Sequence, residues 1–157
     1  MDTTYSLFTV IAVLTIFHCA QGQQVVVTAP DEITPGETTL TVRCAPSDPH
    51  LWKSVQTMKL YKRADNMVSN TMQQPIVSFS YNNGKDTDVT WEDQDLRQRY
   101  GVDVNGNLAS DNPFLSLTID GPNTQEKDAG SYWCGLMGTF GNGEFLYITG
   151  KKHIDVA

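Results

Sequence analysis

The chain is predicted to fold as an all-β, two-sheet antiparallel β-sandwich with one inter-sheet disulfide, and three observations carry that prediction. About eight short segments alternate apolar and polar residues at the strand period, separated by turn residues, and no long helical period appears. The stretch Asp128-Ala129-Gly130-Ser131-Tyr132-Trp133-Cys134 has the residue types of a strand that ends in a cross-sheet cysteine. Upstream, Thr38-Thr39-Leu40-Thr41-Val42-Arg43-Cys44 alternates in the same way and ends on the one cysteine left to pair with it.

Cys44 is the one left because Cys19 falls in a segment expected to be removed. Leu7 to Phe17 is an uncharged apolar run of eleven residues, followed by the small residues Ala20-Gln21-Gly22. Residues 1–22 read as a secretory signal peptide whose positive charge comes from the terminal amine alone; the alternative is a short buried strand or helix. Eleven residues fall short of the roughly 20 needed to span a bilayer. No second such run follows, so a secreted, extracellular product without a membrane anchor is expected, with residues 23–157 as one domain. Its 157 − 22 = 135 residues would carry 11 basic and 17 acidic side chains, a net charge of −6. An acidic surface argues against nucleic acid or an anionic membrane as partner. In an oxidising compartment, Cys44 and Cys134 are expected to pair.

Taken in order, Gln24-Val25-Val26-Val27-Thr28 is a first strand ended by Ala29-Pro30. Pro30 and Pro35-Gly36 punctuate the gap that follows, as suits an edge strand changing partners. Ala45 to His50 reads as a loop, and Val55 to Lys62 as a strand with Met58 and Leu60 inward and Lys59 and Tyr61 outward. Pro75 to Tyr81 has strand composition, and Asn82-Asn83-Gly84 is a turn signal. Asp86 to Asp95 is polar and acidic and reads as a loop, with one helical turn from Trp91 to Leu96. A strand over Arg99 to Val104 is followed by Asn105-Gly106, a hairpin signal. Phe114 to Ile119 puts Leu115, Leu117 and Ile119 on one face. The final hairpin lies after Cys134, with a last strand from Glu144 to Thr149.

Asp128-x-Gly130-x-Tyr132-x-Cys134 resembles the F-strand signature of the immunoglobulin superfamily. Other marks follow in the family's order: Cys44 on strand B, Met58 to Lys62 at strand C, and Leu117-Thr118-Ile119 on strand E. Leu60 stands where the family usually has a tryptophan, and Phe79, Trp91 or Tyr100 is expected to fill the volume. Tyr132 is two residues before Cys134 and so shares its face; its hydroxyl can reach back to the preceding turn as a tyrosine corner. Gly130 allows a tight turn beside that ring. The run Arg99-Tyr100-Gly101-Val102 is similar to the variable-type pattern and makes Arg99 the ion-pair partner expected for Asp128, over an Asx-type turn bond alone.

The wide spacing of the cysteines implies variable-type topology. Phe140-Gly141-Asn142-Gly143 resembles the bulge that opens strand G in such domains, which would put Leu146 and Ile148 inward. If Asn142-Gly143 is instead a simple hairpin turn, Phe145 and Tyr147 face inward. Across Val25 to Ile154 the strand signatures are also similar to secreted invertebrate immunoglobulin-like domains, such as those of molluscan fibrinogen-related defence lectins.

The residues offer little for catalysis. His50 and His153 lie far apart in sequence beside ordinary surface residues. The acidic run Asp86-Thr87-Asp88 with Glu92-Asp93-Gln94-Asp95 could offer oxygens to calcium but lacks the order of a known calcium loop. No cofactor, metal or enzyme activity is expected, and no Asn-x-Ser/Thr sequon is present. The resemblance implies instead a binding module for a protein or glycan ligand, in innate immune recognition, or alternatively an adhesion or structural domain acting by self-association. The candidate face is the outer side of the C-F-G sheet, with Tyr61, Phe140, Phe145 and Tyr147; the competing reading makes two of these four core residues.

Overall fold

A computed structural model describes residues 24–63, 75–81, 87–109 and 111–157. The expected signal peptide and the Asn82-Asn83-Gly84 turn lie outside the described residues, as does the part of the acidic run at Asp86.

Ten strands are described: β1 (Val25–Thr28), β2 (Glu32–Ile33), β3 (Leu40–Pro46), β4 (Trp52–Arg63), β5 (Pro75–Tyr81), β6 (Thr87–Trp91), β7 (Val102–Asn107), β8 (Phe114–Ile119), β9 (Gly130–Phe140) and β10 (Phe145–Val156). They form one sheet in the order β1-β3-β8-β7 and a second in the order β2-β10-β9-β4-β5-β6. Every pairing is antiparallel except that of β2 with β10. Ala29-Pro30 lies where the chain leaves the first sheet for the second: β1 pairs with β3, whereas β2 pairs with β10. Proline removes a ladder donor, which is tolerated where a strand breaks off one partner to join another.

The core lies between the sheets. One sheet contributes Leu40, Val42 and Cys44 from β3 with Leu115, Leu117 and Ile119 from β8. The other contributes Met58 and Leu60, Val77 and Phe79, then Tyr132, Cys134, Leu136 and Ile154. Alternation along each strand produces this: the residues between them, such as Thr41, Arg43, Lys59 and Trp133, are only partly buried or exposed.

Several expectations are corrected. The acidic loop from Asp86 to Asp95 contains strand β6, whose Val89 and Trp91 stand opposite Phe79 and Val77. Its apolar positions are separated by Thr90 and hidden in a polar stretch. Helix α1 (Gln94–Gln98) starts later than expected because Asp93 caps it, its carboxylate accepting from the Leu96 amide at 2.8 Å. Arg99 closes that helix and is not on a strand.

Asn105-Gly106 is not a turn either: β7 runs through it, with Asn105 opposite Ser116 and Gly106 opposite Leu115. Glycine is needed there for space. A Cβ at Gly106 would stand 2.5 Å from Phe79 Cδ2 and 2.6 Å from the Phe114 carbonyl oxygen. Gly106→Ala is therefore expected to cost about 1–3 kcal/mol in urea unfolding through overpacking. Phe79→Leu in that background should recover part of the loss, and no loss in the single variant would show that the ring does not limit the site.

At the final hairpin Phe140 closes β9 and does not open β10, whereas the facing implied by the bulge reading, with Leu146 and Ile148 inward, is the one observed. β9 ends at Phe140 and β10 begins at Phe145, and Gly141 to Gly143 form the tip between the paired Phe140 and Glu144. The Gly143 amide donates to the Phe140 carbonyl at 2.9 Å and the Phe140 amide to the Glu144 carbonyl at 2.7 Å. With Gly143 at φ +87°, this is a three-residue loop whose last position favours glycine. The simple-turn reading misses the count by one residue, which reverses the facing it implied. Leu146 and Ile148 turn inward, while Phe145 and Tyr147 are 54% and 57% exposed.

Candidate functional site

Two groups of the singled-out residues are architectural. Cys44 and Cys134 join the centres of β3 and β9, their Cα atoms 6.1 Å apart. Leu60 stands opposite Cys134 on the neighbouring strand β4 and is fully buried. Of the residues expected to complete the volume, Phe79 crosses the core to Gly106 and Trp91 is partly buried against the core. Tyr100 does neither, being 87% exposed in the turn after α1. Trp52, just before the C-strand residues, is committed elsewhere: it meets Phe140 edge to face at 5.2 Å between ring centroids.

The second group forms the corner below β9. The Tyr132 hydroxyl donates to the Asp128 carbonyl at 2.7 Å, and Gly130 between them takes φ +117°, a region that favours glycine. The Asp128 carboxylate accepts two parallel bonds from the Arg99 guanidinium, at 2.7 and 2.8 Å, and a third from the Gln125 amide at 2.8 Å. The ion pair and the local turn bond thus coexist. Arg99 also donates to the Asn123 carbonyl at 2.7 Å. Burial would raise the Asp128 pKa, but the Arg99 bonds, the Gln125 amide and the charges of Arg99 and Lys62 outweigh it, holding the carboxyl below the usual range. Burial, the largest influence on Tyr132, keeps its phenol protonated far above the ordinary value.

The candidate binding face is the outer side of β4, β9 and β10. Inward positions on these strands are Met58 and Leu60, then Tyr132, Cys134 and Leu136, then Leu146, Ile148 and Ile154; their sequence neighbours therefore point out. Cross-strand register builds rows on that side. Tyr61, Trp133 and Lys151 make one row; Lys59, Gly135 and Thr149 the next; Thr57, Met137 and Tyr147 a third. Tyr147 lies across Gly135, since a Cβ there would come 2.9 Å from Tyr147 Cε2 and 3.0 Å from Cζ. Burial first, and the neighbouring Tyr147 second, push the Tyr61 pKa up to about 12.

Three of the four candidate aromatics are therefore brought together on the outer side. Phe140 is not. It shares the inward parity of Tyr132, Cys134 and Leu136, is buried, and packs on Trp52 at the loop end. Sequence reading missed Trp133, which alternation alone could have found, because it precedes the inward Cys134 by one residue.

At the hairpin end, Trp52, Val55, Tyr81, Leu108 and Pro113 line a cleft of about 400 Å³ with His50, Lys53 and Asp111 at its polar margin. The His50 amide donates to Asp48. His153 stands on the outer side of β10, its Nδ1 2.9 Å from Ser131 Oγ and its Nε2 3.2 Å from Asp155 Oδ1. Among the described residues no three His, Cys, Asp or Glu side chains gather as a metal site would require, and Asp93 of the acidic run is used as a helix cap. No helix among the described residues is long and apolar enough to cross a membrane.

The sheet order, the strand that changes sheets and the bridge between β3 and β9 define a variable-type immunoglobulin-like β-sandwich. A solved structure of murine CRIg is similar to it, with a TM-score of 0.58 at 13% sequence identity, covering 85% of this chain and 98% of that one. No protein-family model matches the sequence. No curated protein matches it either.

Proposed function

We propose that the chain is a secreted binding module, with residues 1–22 a signal peptide and 23–157 the functional domain, which recognises a protein or glycan ligand through the outer face of β4, β9 and β10 in innate recognition. One observation carries this reading: Tyr147 and Phe145 are more than half exposed on the same sheet face as Tyr61 and Trp133. Aromatic side chains grouped in the open are the usual anchors of recognition surfaces. The fold supports a binding role in general terms, and the similarity to molluscan defence-lectin domains rests on strand signatures that many variable-type domains share, so it adds no ligand class.

The test uses the mature chain, immobilised and exposed to extracellular fluid of the source organism, with paired variants at adjacent positions. Phe145→Ser should change stability by no more than about 0.5 kcal/mol and abolish capture. Leu146→Ser, one residue on and half-buried on the inward side, should cost about 1 kcal/mol or more. Capture undiminished in Phe145→Ser would remove this face as the site. Loss of a concentration-dependent dimer in that variant, with no other ligand captured, would favour self-association instead.

A further inference from the structure

Resting on the reading that this face is the binding surface, we infer that its ligand is a polyanionic glycan. The protein is strongly acidic, with 18 Asp and Glu against 11 Lys and Arg. The middle of this face nevertheless holds Lys59 and Lys151, with Arg63 at the end of the same outward row on β4, and no acid in the three rows between Thr57 and Lys151. Acids lie at its margins: Asp155 beside His153, Glu144 at the hairpin tip and Asp88 on β6.

The placement of the lysines chooses among anionic ligands. Lysine is depleted at the centre of protein–protein interfaces, where its ammonium would have to shed water. A hydrated sugar chain leaves that water largely in place. Lys59 and Lys151 sit two strands and two residues apart, a separation of about 12 Å between their backbones from strand geometry. A repeating polyanion can meet each ammonium with a separate charge, whereas one small anion would have to draw both flexible side chains together at a cost in rotamer entropy. Between them lie Trp133 and the Tyr147 ring over the bare backbone of Gly135. Apolar ring surface between cations suits sugar rings carrying charged substituents. Because the rest of the chain is acidic, non-specific attraction of a polyanion is opposed everywhere else.

The mature chain should be retained on immobilised heparin or hyaluronate and released by salt, and should pass through neutral dextran. Lys59→Glu/Lys151→Glu should abolish retention, and in solution the single reversals should each reduce the slope of log affinity against log salt by about one. Gly135→Ala, which displaces Tyr147, should weaken binding several-fold with the thermal unfolding midpoint held, as should Tyr147→Ser. Lys53→Glu, away from the central rows, should change nothing. Absence of retention on both polyanions overturns the inference, as does retention that survives the double reversal or falls equally with Lys53→Glu. If the polyanions fail while Phe145→Ser still abolishes capture from extracellular fluid, the ligand class is wrong and the face is right; if both fail, the binding face itself is refuted.

Discussion

Replacing Cys44 and Cys134 together by alanine is expected to destabilise the domain by roughly 4 to 5 kcal/mol on the chain-entropy account, because the bridge closes a loop across a separation of 90 residues. Small domains hold about 5–15 kcal/mol in all, so the variant should be near the limit of folding at body temperature. The bridge ties the centre of each sheet to the other, with Leu115 opposite Cys44 on β8 and Leu60 opposite Cys134 on β4. Both cysteines are fully buried, so alanine also leaves a small void between the sheets. Urea unfolding of the double variant and of the native chain under reducing conditions separates the two contributions. Reduction removes the cross-link but keeps the sulfur atoms in place, so it should lower stability by most of the loss and the alanine variant by slightly more. A loss below about 1 kcal/mol on reduction would mean that the unfolded chain is already held compact in other ways.

The parts of this fold legible in the sequence are those where a residue type admits one physical use. The β9 signature is of that kind: a cysteine needs a partner, a tyrosine two residues earlier must share its face, and the glycine between Asp128 and Tyr132 takes a positive φ. The Asp128–Arg99 pair was legible for the same reason, a carboxylate and a guanidinium at positions resembling a known pattern. Where a residue serves two uses, local reading fails. Asn105-Gly106 has turn chemistry, but its glycine is there because Phe79 arrives from the opposite sheet, and that ring is 27 residues away in sequence. Strand β6 reads as an acidic loop because its edge position leaves Asp88 and Thr90 outward and asks apolar character only of Val89 and Trp91. Phe140 was assigned to the binding face because it was counted with the loop after it and not with β9, whose inward parity it keeps. The facing of β10 turns on a single loop residue, which composition does not determine. The candidate face shows the same limit: its aromatics were partly visible one strand at a time, whereas the alignment of Lys59, Gly135 and Thr149 exists only once three strands are in register.

Arg99→Ala is expected to cost about 3–5 kcal/mol, a loss on the scale of the disulfide's, because it strands a carboxylate whose side chain is 4% exposed. After the change Asp128 keeps the Gln125 amide as a direct donor but loses both guanidinium bonds, and the Asn123 carbonyl loses its donor as well. Most of the cost is the unpaired charge, so Arg99→Ala/Asp128→Ala should be less unstable than the sum of the single variants, whereas a double loss equal to that sum would show that the two side chains do not act as a pair. The same pair sets the acid limit of the fold. The Asp128 pKa is lower in the folded state than in the unfolded chain, where a carboxyl titrates near about 3.9. For an acid shifted this way the unfolded state binds the proton more readily, so the stabilisation is fully present above about pH 4 and is lost as pH falls from there through the folded value. Asp128→Asn removes that titration, and its stability should therefore be lower than the native chain's at neutral pH yet fall less steeply below about pH 4, so that the two curves converge in acid. Parallel curves would place the acid sensitivity in other carboxylates. Because Asp128 also supplies the carbonyl that receives the Tyr132 hydroxyl, the corner links the acid limit to the position of β9, whose outward residues Trp133 and Gly135 lie at the centre of the candidate face.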